Sequence, residues 1–148
     1  MTQVISRDIH NATVIDSRGP RFSAVLTSIV LATALVTHSA ILTALQGIVF
    51  AIGAFKGPQS TPYAAIFRNW VKPLLNGKPE LEDVRPPQFA QKVGLGFALA
   101  GFAGALLGSS ALFTIAVGGA LFAAFLNAAF NFCLGCEIYL ISLRLRTR

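Results

Sequence analysis

Two stretches without a charged side chain, residues 22–55 and 93–136, constrain this chain more than any other feature. The first holds 34 residues and the second 44. A single helix of the first length would run about 50 Å, well past a hydrocarbon core of about 30 Å. Each stretch therefore reads as two helices. The first turns at Thr37-His38-Ser39, its most polar point, and the second at Gly108-Ser109-Ser110. The expected fold is an all-α membrane protein with four transmembrane helices arranged as two hairpins. Hairpin one covers 20–56, a cytosolic or interfacial connector 57–88, and hairpin two 89–143, in a single membrane domain spanning 1–148.

Hydrophobic residues make up 54% of the chain and charged residues 12%, where soluble domains carry roughly 25% charge. The formal net charge of +6 raises nucleic acid as a partner, but the positions of the charges argue against it. All twelve Lys and Arg lie outside the two apolar stretches, and none lies in either short turn. That asymmetry predicts that both termini and the connector share the cytosolic side. Arg7, Asp8, Asp16, Arg18 and Arg21 interrupt the first residues, so no cleavable signal peptide is expected. His10 has no partner at ligand spacing, and His38 reads as a polar turn residue.

Within the connector, Thr61-Pro62 is a helix start, with Thr61 as N-cap and Pro62 at the first position. Tyr63, Ile66, Phe67, Trp70, Val71 and Leu74 follow at helical spacing, with Arg68 and Lys72 opposite. This predicts one short amphipathic helix lying at the interface, anchored by Trp70.

The chain also repeats itself. Asp16-Ser17-Arg18-Gly19-Pro20-Arg21-Phe22 leads into the first hairpin, and Asp83-Val84-Arg85-Pro86-Pro87-Gln88-Phe89 into the second. Both read D-x-R-x-P-x-F. Because both hairpins start from one side, the repeat is parallel. In this lead-in motif Asp16, Arg18, Pro20 and Arg21, with Asp83, Arg85 and Pro87, carry structural roles. Proline sets the helix angle, arginine stays at headgroup level and phenylalanine enters lipid, while the acids are placed to pair across the hairpins. Helix three carries Gly96, Ala100, Gly104 and Gly108 at four-residue steps, and helix four Ala116, Ala120, Ala124 and Ala128. Small residues let backbones approach closely in lipid, so these two helices are expected to form the tightest pair. Asn127 and Asn131 read as interhelical hydrogen-bonding groups.

The only two cysteines, Cys133 and Cys136, form a C-x-x-C just before the basic tail. The pair suits thiol–disulfide exchange, or ligation of a metal if further ligands came from another chain. No metal or cofactor is implied by the residues present. Taken as the C-terminal end of helix four, with Glu137 one turn from Cys133, the context disfavours thiolate. A structural pair of inert thiols is the competing account. In a reducing cytosol the resting form would be a dithiol.

Three segments together resemble a known family: D-x-R-G-P-R-F at 16–22, R-P-P-x-F-A at 85–90, and F-C-L-G-C-E-I-Y at 132–139. They are similar to small bacterial membrane proteins catalogued as a domain of unknown function, family 4395. The likeness runs from about residue 14 to about 143, and Gln88 departs from it where the first repeat has Arg21. It implies the bacterial inner membrane and, through thioredoxin-like and sulfurtransferase companions, thiol or sulfur handling. On this reading Cys133, Cys136 and Glu137 carry the chemistry, with Glu137 as proton acceptor. The partners are the lipid bilayer and a thioredoxin-like or sulfurtransferase protein. The alternative is a non-enzymatic accessory or assembly subunit of a larger membrane complex. Whether the chain is an enzyme stays open at this stage.

Overall fold

The computed structural model describes residues 14–75, 77, 81–130 and 132–147; His10 and Asn131 lie outside them. In chain order the elements are strand β1 (Val14–Asp16), helix α1 (Arg18–Thr37) and helix α2 (Ala40–Lys56). A short helix α3 (Pro62–Ile66) and strand β2 (Leu81–Asp83) follow. The last three helices are α4 (Arg85–Leu106), α5 (Ser110–Phe130) and α6 (Leu134–Thr147). Helices α1, α4 and α5 are long and apolar enough to cross a membrane, while α2 is a shorter apolar helix of 17 residues.

Both tight turns fall where the polar residues interrupt the apolar stretches. His38 closes α1 in the left-handed region at φ 51°, and Gly108 does the same after α4 at φ 72°. Ser39 and Ser109 then start the next helices, their hydroxyls accepting from the amides of Leu42 and Leu112. The His38 ring rests on Phe113, with centroids 5.2 Å apart, and joins the two hairpin tips.

Two expectations need correction. First, the most extensive packing joins α2 to α4, helices of different hairpins, and not α4 to α5. Small residues explain this. Gly53 leaves room for the Gln91 side chain, Gly94 for the Phe50 ring, and Gly47 for Ala98. The matching pair α1 and α5 also packs across hairpins. A core of Leu31, Phe50, Ala98, Phe113, Val117 and Ala120 fills the centre between them.

Second, the connector helix is not a continuous amphipathic α-helix. It runs as α3 to Ile66, widens to a π turn over Phe67–Val71 and tightens to a 3₁₀ turn over Lys72–Leu74. Pro73 is the cause: it has no amide hydrogen, and its ring would clash with the carbonyl four residues back. The change of pitch splits the apolar stripe. Phe67 is buried against α1, whereas Trp70 is 72% exposed and Leu74 79%.

A two-stranded antiparallel ladder was not expected. Val14 pairs with Asp83, Ile15 with Glu82 and Asp16 with Leu81. It holds the two lead-in motifs side by side, so α1 and α4 start together.

Candidate functional site

Each lead-in motif is a device for starting a helix. The Asp16 carboxylate accepts from the Arg18 amide at 3.1 Å and from the Arg18 guanidinium through both oxygens. Asp83 accepts in the same way from the amide of Arg85 at 2.9 Å and from its guanidinium. The carboxylate thus satisfies one of the unpaired amides of the first turn. Each acid therefore takes the arginine of its own motif, where pairing across the hairpins was expected. The Arg18 guanidinium holds the Asp16 carboxyl below the usual range. For Asp83, burial pushes upward, but the hydrogen bonds from Arg85 outweigh it and the net shift is downward.

The remaining motif positions also act in matched pairs. Arg21 Nε donates to the carbonyl of Ala128, 3.3 Å away in the last turn of α5. Gln88 Nε2 donates to the carbonyl of Ala54, 2.9 Å away in the last turn of α2. Arginine and glutamine, different in charge, cap the outgoing helix of the other hairpin in both cases. Phe22 stacks on Phe67 at 5.9 Å, and Phe89 on Tyr139 at 5.6 Å. Both rings meet an aromatic partner on the helix after their hairpin, in place of the expected lipid-facing position. Pro20 and Pro87 sit in the first turns, where a missing amide hydrogen leaves no helical bond broken.

The cysteine pair is placed differently from expectation. Helix α5 ends at Phe130, and the Phe132 amide turns back to the Leu126 carbonyl at 3.2 Å. A new helix, α6, begins at Leu134. Cys133 is its N-cap: its carbonyl accepts from the Glu137 amide at 3.0 Å, and its Sγ accepts from the Cys136 amide at 3.2 Å. The pair therefore lies at a helix N-terminus, where the dipole favours negative charge on sulfur, and not at a C-terminal end. In place of the expected dithiol, Cys133 and Cys136 form a disulfide, with Cα atoms 5.2 Å apart.

Thr61 does in the first repeat what Cys133 does in the second. Its carbonyl accepts from the Ala65 amide at 3.1 Å, and its hydroxyl from the Ala64 amide at 3.2 Å. Phe67 and Tyr139 each stand six residues beyond their N-cap. The C-x-x-C is thus the second repeat's version of a helix cap that is Thr-x-x-Ala in the first.

Gly135, between the cysteines, is buried, and an added Cβ would lie 2.6 Å from the Ala90 Cα. The dipeptide spacer is therefore also the crossing point of α6 on α4. Cys133 and Cys136 line a cleft of about 320 Å³ with Ser17, Pro20, Asp83, Pro87, Asn127 and Glu137. Both lead-in motifs, the end of α5 and the disulfide converge there. Glu137 is exposed in the first turn of α6. No group of potential metal ligands occurs among the described residues.

The small residues divide by role. An added Cβ at Gly104 would lie 2.7 Å from the Phe113 amide nitrogen, whereas at Gly96 it would meet nothing within 4 Å. Ala100 is half-buried, Ala120 belongs to the core, and Ala124 lines a cavity beside α6. A buried polar chain escaped the sequence reading. Tyr63 Oη donates to Gln46 Oε1 at 2.7 Å, and Gln46 Nε2 to Thr27 Oγ1 at 3.3 Å. Gln46 standing alone within an apolar stretch was the available signal.

Residues 15–144 match the model of a family described as a domain of unknown function, DUF4395. No curated protein and no solved structure matches the chain.

Proposed function

The chain belongs to the DUF4395 family, and from that premise we propose that it is an integral membrane protein whose Cys133–Cys136 disulfide takes part in thiol–disulfide exchange. The observation that carries this reading is the disulfide at the N-terminus of α6, inside a polar cleft. Cys133 is the attacking thiol in the reduced form. Its sulfur receives the Cys136 amide hydrogen bond and sits at the positive end of the helix. Cys136 resolves the mixed disulfide by attacking Cys133 sulfur and releasing the bound partner as a thiol. Glu137, exposed beside the cleft, takes the proton. A thioredoxin-like protein is the partner whose chemistry fits. Sulfur transfer by persulfide is served less well, because Cys136 would discharge a persulfide on Cys133.

The membrane reading has four spans, α2 being the shortest at about 25 Å. It is supported by the exposed apolar side chains Ile29, Ile48, Leu99 and Ile115 on the helix exteriors. The pairing of β1 with β2 supports a common side for both hairpin starts. With the basic residues on that side, both termini face the cytosol of a bacterial inner membrane. The exposed Trp70 and Leu74 favour a second reading, docking of a larger membrane complex.

Thiol labelling in inverted membrane vesicles tests the leading reading. After reduction both thiols should label, and a mild oxidant should remove both together. Cys133→Ser should abolish mixed-disulfide capture of a thioredoxin-like partner, while Cys136→Ser should trap it. Full cellular function in the double serine variant would leave the docking reading in its place.

A further inference from the structure

The first repeat builds its own version of the cleft that holds the disulfide. A cavity of about 210 Å³ lies between the first lead-in motif and the connector helix, with Asp16, Pro20, Phe67, Arg68 and Lys72 in its wall. Asp16 and Pro20 stand there where Asp83 and Pro87 stand in the disulfide cleft, and Ala64 stands where Cys136 does. The frame is the same, but the chemistry differs. The second cleft is lined by two sulfurs and the Glu137 carboxylate, the first by the cations Arg68 and Lys72.

The charges in the first cavity do not cancel. The Asp16 carboxylate is held by the Arg18 guanidinium at 2.8 Å. After Arg18, Lys72 adds a smaller downward pull on the same carboxyl, so its ammonium acts across this space. Lys72 takes no hydrogen bond or salt bridge among the described residues. Arg68 donates from Nη1 to the Gln59 carbonyl, which fixes its guanidinium at the rim and leaves further N–H groups to offer a ligand. With Asp16 and Arg18 neutralising each other, Arg68 and Lys72 make the cavity cationic.

The connector also separates charge from apolar surface. Arg68 and Lys72, four residues apart, line the cavity, while Trp70 and Leu74, also four apart, are exposed. In water that arrangement strands a tryptophan and a leucine. At a bilayer surface the apolar pair enters the acyl region and the cations stay at phosphate level. The cavity lies at the end of the bundle where both lead-in motifs start their helices, which is that level in the membrane reading. A guanidinium beside an ammonium suits a phosphate ester. A zwitterionic headgroup brings a cation of its own, so the fit favours a lipid with net negative charge.

We propose that this cavity binds the headgroup phosphate of an anionic phospholipid, held by Lys72 and Arg68, with the acyl chains passing beside Trp70. The proposal rests on the membrane reading of the chain and names the lipid that it selects.

Trp70 is the only tryptophan in the chain, so its fluorescence reports on this site. The test uses the full chain in nanodiscs of mixed phosphatidylglycerol and phosphatidylcholine, with brominated acyl chains, which quench tryptophan, on one lipid or the other. Bromine on phosphatidylglycerol should quench Trp70 as though that lipid were at least about fivefold enriched at the site. Lys72→Gln, which breaks no hydrogen bond among the described residues, should remove most of the enrichment, and so should Arg68→Gln. Lys92→Gln removes an exposed cation of α4 outside the cavity and should leave the enrichment intact. An equal loss in Lys92→Gln would reduce the effect to general surface charge and overturn the cavity assignment. Soluble glycerol 3-phosphate should not relieve the quenching; relief would mean that the site takes free phosphate, and the lipid assignment falls. Equal quenching by both lipids in the wild type also overturns it, while the bilayer contact stands. If neither lipid quenches, Trp70 does not meet acyl chains, and the membrane placement of the connector fails together with this proposal.

Discussion

Gly135 shows how one missing side chain sets the geometry of the cysteine pair. A Cβ there would press on the backbone of Ala90, which has no flexible end to give way. Gly135→Ala should therefore cost about 1–3 kcal/mol and lower the detergent melting temperature by several degrees. Gly96→Ala is the matched control: its added carbon meets open space, and the helix should gain up to about 1 kcal/mol. Equal melts for the two variants would reject this account of the crossing. At Asp16 and Asp83 the carboxyl values are lowered in the folded protein. Each therefore contributes stability at pH above its unfolded value, and that contribution disappears as pH falls through the folded value. Asp16→Asn should cost roughly 1 kcal/mol at pH 7 and show a smaller loss of stability than wild type on acidification below about pH 4. Melts between pH 7 and pH 3 would measure this. The sequence displayed these acids and arginines clearly, but only the tertiary structure shows that each pair is local. A carboxylate two residues before an arginine can reach both its amide and its guanidinium, and that closeness prevails over pairing between hairpins.

Among the elements, the lead-in segments and caps govern how helices start and stop. Gln88 departs from the arginine of the first repeat, yet both side chains donate to a carbonyl in a last helical turn. Gln88→Leu should lose about 1 kcal/mol, and Gln88→Arg should recover most of it; thermal melts of the two variants check this. The caps of α3 and α6 superpose in logic, with Thr61 and Ala64 standing where Cys133 and Cys136 stand. A Thr61→Cys, Ala64→Cys double variant should consequently form a second disulfide. Thiol counting after mild oxidation should find all four cysteines bonded, and two persistently free thiols would contradict the equivalence. The helix stops at His38 and Gly108 were legible because polar residues and glycine interrupt otherwise apolar runs. The start of α6 was not legible. Nothing in the composition separates the end of α5 from the residues after it, since apolar residues continue through both. The break depends on Phe132 turning back to Leu126 and on Ala90 receiving Gly135, which are contacts and not patterns.

For the whole molecule, the repeat produces two cross-hairpin interfaces, α1 with α5 and α2 with α4, joined at one end by the β1–β2 ladder. The four-span reading predicts opposite faces for its two ends. In a Cys133→Ser, Cys136→Ser background, His38→Cys should react with an impermeant thiol reagent only from the side opposite Trp70→Cys. Labelling of both from one side would remove α2 as a span. From the sequence alone came the helical class, the two hairpins, their turns and the D-x-R-x-P-x-F repeat, because apolar length and turn residues are local properties that no tertiary contact needs to supply. The tertiary structure alone decided which helices meet and that the cysteines are joined. It also decided that their sulfurs sit at the beginning of a helix and not at an end. Those outcomes depend on where small residues let backbones approach, and on which carbonyls and amides remain to be satisfied once the helices are packed.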